Sequence, residues 1–310
     1  MVPYIHTKTD DYFKDHEVTF VATFSRHQMI TPFFNALVDM EMPREKIHLL
    51  IHNNTDKVVL KDKLEKIIKI LQEDLKPPFA SIVLHTSNRE GGRTLLGQDN
   101  DIFDYSKLKP IWEMWKDLHD LIKTDVFFLI EDDTIAPPHA FYKLMEGLFS
   151  LEKAGFVIGI STGRCPYEWQ PTRLGVHYMD MKDNKIVKRI SLSPDCVGIH
   201  EIDGAGVYCF AAYKKAWLSG FEGMDEYVYK LPFFGMDNAL TYNMKQYGWK
   251  LYADFDVWVD HMQMSGEKMF AFNKKQAVIM ADIWLPEFEA YAQGIKLKQE
   301  VYDKVVKKLK

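Results

Sequence analysis

Through its first 130 residues this chain alternates apolar stretches of two different periods, and that order admits few folds. Residues 17–24 (EVTFVATF) are β-branched and aromatic, which suits a strand. From Met29 to Met40 the spacing becomes helical, with Phe33, Phe34, Leu37 and Met40 on one side. Residues 47–51 (IHLLI) form a second strand candidate. Leu60, Leu64, Ile67, Ile68 and Leu71 then recur at three and four residues, and Pro77-Pro78 ends that helix. Ser81 to His85 predicts a third strand, residues 107–122 an amphipathic helix, and residues 126–130 a fourth strand. Strand and helix in strict alternation predict a doubly wound, mostly parallel sheet.

The second half is more mixed. Phe156 to Ser161 reads as a strand, and residues 163–200 as turns and short alternating pieces. Asp203-Gly204-Ala205-Gly206 precedes the apolar run Val207 to Ala212. A helix runs from Met236-Asp237-Asn238 to Tyr247, with Gly248 as its stop signal. Leu251 to Val259 alternates and ends in Asp260-His261, and from Lys274 the pattern is helical. The predicted fold class is therefore α/β, a Rossmann-like doubly wound mixed sheet over residues 1–265. Residues 266–310 form a C-terminal helical extension.

Composition excludes several classes of function. A formal charge of −5 over 310 residues gives no general polyanion-binding surface. Three cysteines, Cys165, Cys196 and Cys209, in no paired spacing argue against a disulfide framework and zinc, and fit a reducing, cytoplasmic setting. The first fifteen residues are polar rather than signal-like, and no apolar run approaches the length of a membrane span.

The chemistry concentrates at the strand ends. The fourth strand, Phe127-Phe128-Leu129-Ile130, ends in Glu131-Asp132-Asp133. Adjacent carboxylates repel one another and are costly to desolvate without a compensating cation. A hard divalent ion, Mn²⁺ or Mg²⁺, bridging to phosphate oxygens would compensate them. The first strand offers Thr23, Ser25 and Arg26, and the second Asn53 and Asp56. In a doubly wound sheet such tips share one edge and can face one ligand. The turn Thr23-Phe24-Ser25-Arg26 is no GxGxxG, and P-loop and GxSxG motifs are absent, which removes the commonest enzymes built on such sheets.

These motifs, in this order and spacing, resemble a GT-A-fold glycosyltransferase of the family-2-like, inverting type over about residues 17–262. The resemblance rests on the Asn53-Asn54-Thr55-Asp56 tip, the Gly91-Gly92-Arg93 loop, Leu129-Ile130-Glu131-Asp132-Asp133, Asp203-Gly204-Ala205-Gly206, Gly235-Met236-Asp237-Asn238, and Tyr247 to Tyr252 followed by Asp260-His261. It implies a nucleotide-sugar half at about 17–135 and an acceptor half at about 136–265. Thr23, Ser25, Arg26, Asn53 and Asp56 would then hold the nucleoside of a UDP- or GDP-type donor sugar, and Arg93 the nucleotide or diphosphate. Glu131, Asp132 and Asp133 align with the family's DxD acids, with Glu in place of the first Asp. Ribose contact falls to the first two and the metal to Asp133, with His261 as the late histidine ligand. Asp237 keeps the position of the catalytic base, although Met236 replaces the family's Glu and a helix cap is the competing role. Asp203, Gly204 and Ala205 would form the acceptor side.

Inverting transfer needs a base at the acceptor hydroxyl, a cation at the leaving diphosphate and in-line positioning. The acceptor stays open among a glycan, a lipid-linked sugar, a protein and a modified nucleic-acid base. Two other functions use similar parts: a nucleotidyltransferase, and a non-catalytic nucleotide- or carbohydrate-binding module on a degenerate transferase fold.

Overall fold

The structure is a computed structural model that describes residues 7–54, 57–87, 105–161, 174–182, 185–223, 236–265 and 268–272. The first half runs α1 (Thr7–Asp15), β1 (Val18–Phe24), α2 (Ile30–Asp39), β2 (Ile47–Asn53), α3 (Val58–Asp74), β3 (Ser81–Thr86), α4 (Tyr105–Leu121) and β4 (Val126–Glu131). It continues through β5 (Thr134–Ile135), α5 (Ala140–Ser150), β6 (Ala154–Ile160), the hairpin β7 (Val176–Lys182) and β8 (Lys185–Ser191), β9 (Ile199–Ile202) and β10 (Gly204–Ala205). The last elements are β11 (Cys209–Tyr213), α6 (Lys214–Ser219), α7 (Met236–Gln246), β12 (Lys250–Trp258), β13 (Asp260–Ser265) and β14 (Lys268–Phe272).

Eight strands form the central sheet in the order β3-β2-β1-β4-β11-β6-β12-β9. The first four are parallel, β11 runs antiparallel to both β4 and β6, and β12 is parallel to β6. Two small sheets flank it, β10-β7-β8 and β14-β13-β5. β1 and β6 are buried along their whole length, as continuous apolar runs in a two-faced sheet must be. β3, at the edge, is half exposed.

Alternation along β4 sends neighbouring rings to opposite layers. Phe128 packs with Phe20 and under Phe141 of α5, at centroid distances of 5.0 and 5.3 Å. On that side Phe24 also meets Phe33 and Phe34 of α2. Phe127 faces the other way, toward Phe210 and Trp217 of α6, and Trp217 reaches Trp115 of α4. Helices on both faces confirm the expected doubly wound mixed sheet.

The structure adds elements that the sequence pattern did not announce. α1 is held to α5 by Glu146, whose carboxylate accepts from the Thr9 backbone N–H and hydroxyl at 2.9 Å each. α5, α6 and the short β5 are also additions. The hairpin β13–β14 puts a strand at Lys268–Phe272, where the helical extension was expected to begin; residues from 273 lie outside the described ones. Cys196 and Cys209 are free thiols, and Cys165 lies outside the described residues.

Trp217 is fully buried, and its indole N–H donates to the Trp115 carbonyl at 3.2 Å, joining α6, α4 and the sheet. Trp217→Ala is expected to cost about 3–5 kcal/mol. Chemical denaturation should show this as a lower midpoint with an unchanged slope.

Candidate active site

Two features of the sheet assemble the site. The parallel strands β1, β2 and β4 end at one edge. Because β11 runs antiparallel, with Cys209 opposite Ile130, the turn before it lies at that edge too. β12 also ends there, with Trp258 beside Ile160, and the chain turns directly into β13. β13 pairs with β5, placing His261 opposite Thr134. Residues more than a hundred positions apart thus meet around Asp133.

At the centre are two buried carboxylates. Asp132 braces the turn after β1: its Oδ2 accepts the backbone N–H groups of Ser25 and Arg26, each at 2.8 Å. Its Oδ1 accepts from Arg26 Nη1 at 2.5 Å. The same Nη1 lies 2.9 Å from Asp133 Oδ2, and His261 Nε2 lies 3.4 Å from that oxygen. Burial pushes the Asp132 carboxyl up; the Arg26 charge opposes this and the Asp133 charge reinforces it. The Ser25 and Arg26 N–H groups also act against the rise. The Asp133 carbonyl accepts from the Met262 N–H at 2.6 Å, which fixes β13 against the acids.

His261 and Asp133 fit a divalent cation. Both are buried, one is a nitrogen donor and the other an oxygen donor, and their tips are 3.4 Å apart. Adjacent ligands about 2.1 Å from one octahedral ion would be about 3 Å apart. Among the described residues no group of three or more His, Cys, Asp or Glu could hold a metal, so this pair supplies two ligand positions and no third.

The second cluster surrounds the 203–206 turn. Asp203, expected on the acceptor side, has both carboxylate oxygens engaged within the fold. It accepts from the Met179 N–H at 2.8 Å and pairs with Lys245 of α7, so it ties the turn to the β7 hairpin and to α7. Gly204 and Ala205 are buried in β10, and the Ala205 N–H donates to Thr241 Oγ1 at 3.3 Å. Asp237 is the second residue of α7. Its Oδ1 accepts from the N–H of Asn238, one residue on, whereas a capping Asp accepts from two or three residues on. A Cβ on Gly206 would lie 2.8 Å from the Tyr208 ring, so glycine is what lets this turn pack against the tyrosine; the same Cβ would stand in ordinary contact, 3.5 Å, with Asp237 Oδ2.

Tyr208 joins the clusters, and the sequence reading missed it. Its ring stacks with His261 at a centroid distance of 6.2 Å. Its hydroxyl donates to the Gly159 carbonyl at 2.9 Å and accepts from the Ser161 N–H at 3.1 Å. Burial raises its pKa, so it stays neutral. A tyrosine two residues after Gly204-Ala205-Gly206 was the available signal.

On β2 the neighbouring tip residues His52 and Asn53 take opposite faces of the sheet. Thr23 is in register with His52 on one side and Glu131 on the other, and His52 with His85. These four side chains form one row on one face, and alternation turns Asn53 to the opposite face. Asn53 is fully buried, with its amide 3.5 Å from Thr86 Oγ1. His52 stacks on His85 at 5.5 Å. Asp56 and Arg93 lie outside the described residues.

The central sheet, its helices and this edge define the GT-A glycosyltransferase fold. Among solved structures, GalNAc-T7 with UDP, GalNAc and Mn²⁺ superposes at TM-score 0.53, with 12% identity over 89% of this chain. The chain spans about half of that neighbour, 49% of its length. The mannosyltransferase PcManGT from Pyrobaculum calidifontis, in complex with GDP-Man and Mn²⁺, superposes at TM-score 0.44, with 10% identity over 93% of this chain and 67% of its own. No protein-family model matches the chain. No curated protein matches it.

Burial, and then the nearby His85, lower the His52 pKa from its ordinary 6.5 to about 4. The unfolded chain therefore binds a proton between those values that the folded chain does not. This contribution to stability is present above about pH 6.5 and is lost on acidification, up to about 3 kcal/mol by pH 4. Urea midpoints measured from pH 7 to 4 should fall less steeply in His52→Gln than in the wild type.

Proposed function

We propose that this chain is a glycosyltransferase that moves a hexosyl or pentosyl group from a nucleoside-diphosphate sugar to an acceptor hydroxyl, with inversion. One observation carries the reading: Asp133 and His261 converge at the tips of the sheet, and Tyr208 links them to Asp237 over the Gly206 turn. That arrangement supports an electrophilic half and a basic half on either side of one reacting bond. The likeness in fold to GalNAc-T7, whose structure holds UDP, GalNAc and Mn²⁺, supports the nucleotide-sugar and divalent-metal parts of the reading.

Asp133 and His261 would hold Mn²⁺ or Mg²⁺, which when bound stabilises the charge that develops on a leaving diphosphate. Thr23, His52 and Glu131 line the donor's nucleoside side. Asp237 accepts the proton of the acceptor hydroxyl as it attacks the anomeric carbon, and the nucleoside diphosphate leaves from the opposite face. Ser25 and Asp132 keep the β1 turn in place. Asp56 and Arg93 remain proposed donor contacts. Gly204 and Ala205 shape the acceptor side from the backbone, while Asp203 anchors it. UDP- and GDP-type donors both remain within this reading, as do glycan, lipid-linked, protein and nucleic-acid acceptors. No described helix is long and apolar enough to cross a membrane. The cytoplasmic setting is proposed on the cysteines, and a C-terminal extension on the sequence pattern beyond the β13–β14 hairpin, which runs across position 265.

A thermal-shift screen of nucleoside diphosphates with and without Mn²⁺, followed by turnover of the intact donor, tests the proposal. One nucleoside diphosphate should stabilise the protein only when Mn²⁺ is present. Asp133→Ala should lose that stabilisation; binding of metal and nucleotide at wild-type strength would remove Asp133 from the site. A donor that binds but is never transferred would point to the binding module instead.

Asp237→Asn keeps the shape and removes proton acceptance. Transfer should fall about 10²–10⁴-fold, with donor binding preserved. Near-normal transfer by the folded variant would exclude Asp237 as the base.

A further inference from the structure

We propose that Arg26 is the resident counter-ion of the acidic pair, and that it must release Asp133 before a divalent cation can bind, so that metal and nucleoside diphosphate enter together. The nucleotide half of this statement rests on the donor reading above; the Arg26 half rests on geometry alone.

A single guanidinium nitrogen spans both carboxylates, 2.5 Å from Asp132 Oδ1 and 2.9 Å from Asp133 Oδ2. The second oxygen is the one that His261 approaches. A divalent ion at Asp133 and His261 would therefore compete with Arg26 for the same oxygen. Two cations at that separation repel strongly, the more so because the acids are buried and poorly screened.

The turn is built so that the side chain can leave without disturbing it. The Arg26 backbone N–H keeps its own bond to Asp132 Oδ2, as does that of Ser25, so the main chain stays fixed while the guanidinium moves. The side chain is 18% exposed, whereas the two carboxylates are nearly inaccessible.

A diphosphate offers the guanidinium a better partner, since planar N–H pairs match phosphate oxygens. It also carries the oxygens that a metal with two protein ligands needs. Each incoming group thus removes an obstacle to the other, which is positive coupling between two sites.

The test is titration calorimetry of the full chain with Mn²⁺ alone, then with Mn²⁺ in the presence of UDP or GDP. The variants are Arg26→Met, Arg26→Gln and Arg26→Lys. Wild-type protein should bind Mn²⁺ alone weakly and gain affinity when the nucleotide is present. Arg26→Met should bind Mn²⁺ alone about tenfold tighter than wild type, or more, and its coupling to nucleotide should shrink by a similar factor.

Arg26→Gln keeps an N–H donor for Asp132 and carries the test if the methionine variant does not fold. Arg26→Lys keeps the charge and should stay close to wild type. Neutral variants that bind Mn²⁺ no tighter than wild type would overturn the proposal. So would a lysine variant that gains as much as the neutral ones. If the neutral variants gain Mn²⁺ affinity but no nucleoside diphosphate alters Mn²⁺ binding in any protein, the counter-ion role of Arg26 stands and the donor reading fails.

Discussion

Two adjacent carboxylates, Asp132 and Asp133, are buried at the end of a central strand, and the surrounding chain is organised to make that tolerable. An isolated ionised carboxylate in a protein interior is too costly to keep charged. Here one is divided among two backbone N–H groups and a guanidinium, and the other meets the same guanidinium and an imidazole. The turn after β1 supplies the first set of partners and the β13 strand supplies the histidine. The acids therefore fix two remote segments of backbone, the turn after β1 and the start of β13.

The same economy appears around Tyr208. A single buried ring stacks on His261, underlies the Gly206 turn beside Asp237, and holds the end of β6 through its hydroxyl. No charge is spent on this link. A tyrosine hydroxyl satisfied on both its donor and acceptor sides is held in place, so the separation between His261 and the Asp237 turn is set by packing. The antiparallel course of β11 makes this possible, because it brings the segment before that strand to the edge where the parallel strands end.

Much of the fold was legible in the sequence, because local hydrophobic period reports which faces of an element are buried. The strands at β1, β2, β3 and β4 and the helices between them were readable in this way. Gly248 marked the end of α7, and it carries a φ of +85°, a conformation that favours glycine. Arg26 after β1, and Asp132 and Asp133 after β4, were also legible as polar residues at the ends of apolar runs. Less legible was how the fold uses each residue within a tip. Asn53 looked like a turn residue, but β2 continues through it, and one step of strand alternation turns it away and puts His52 beside Thr23. The resemblance put Asp203 on the acceptor side, and the structure adds an ion pair with Lys245 that no local pattern announced.

The sequence by itself determined the elements and the chemical types at their ends, because both follow from periods of two and 3.6 residues and from breakers a few positions away. Tertiary structure alone decided which of those ends meet. His261 stands beside Asp133 because β13 pairs with the two-residue strand β5, and no local pattern encodes a pairing between segments so far apart in the chain. It also decided that Asp237 faces Tyr208 and Gly206, and that Arg26 spans both carboxylates. These contacts follow from how the strands are ordered in the sheet, an order selected by the burial of the whole apolar surface rather than by any one segment of it.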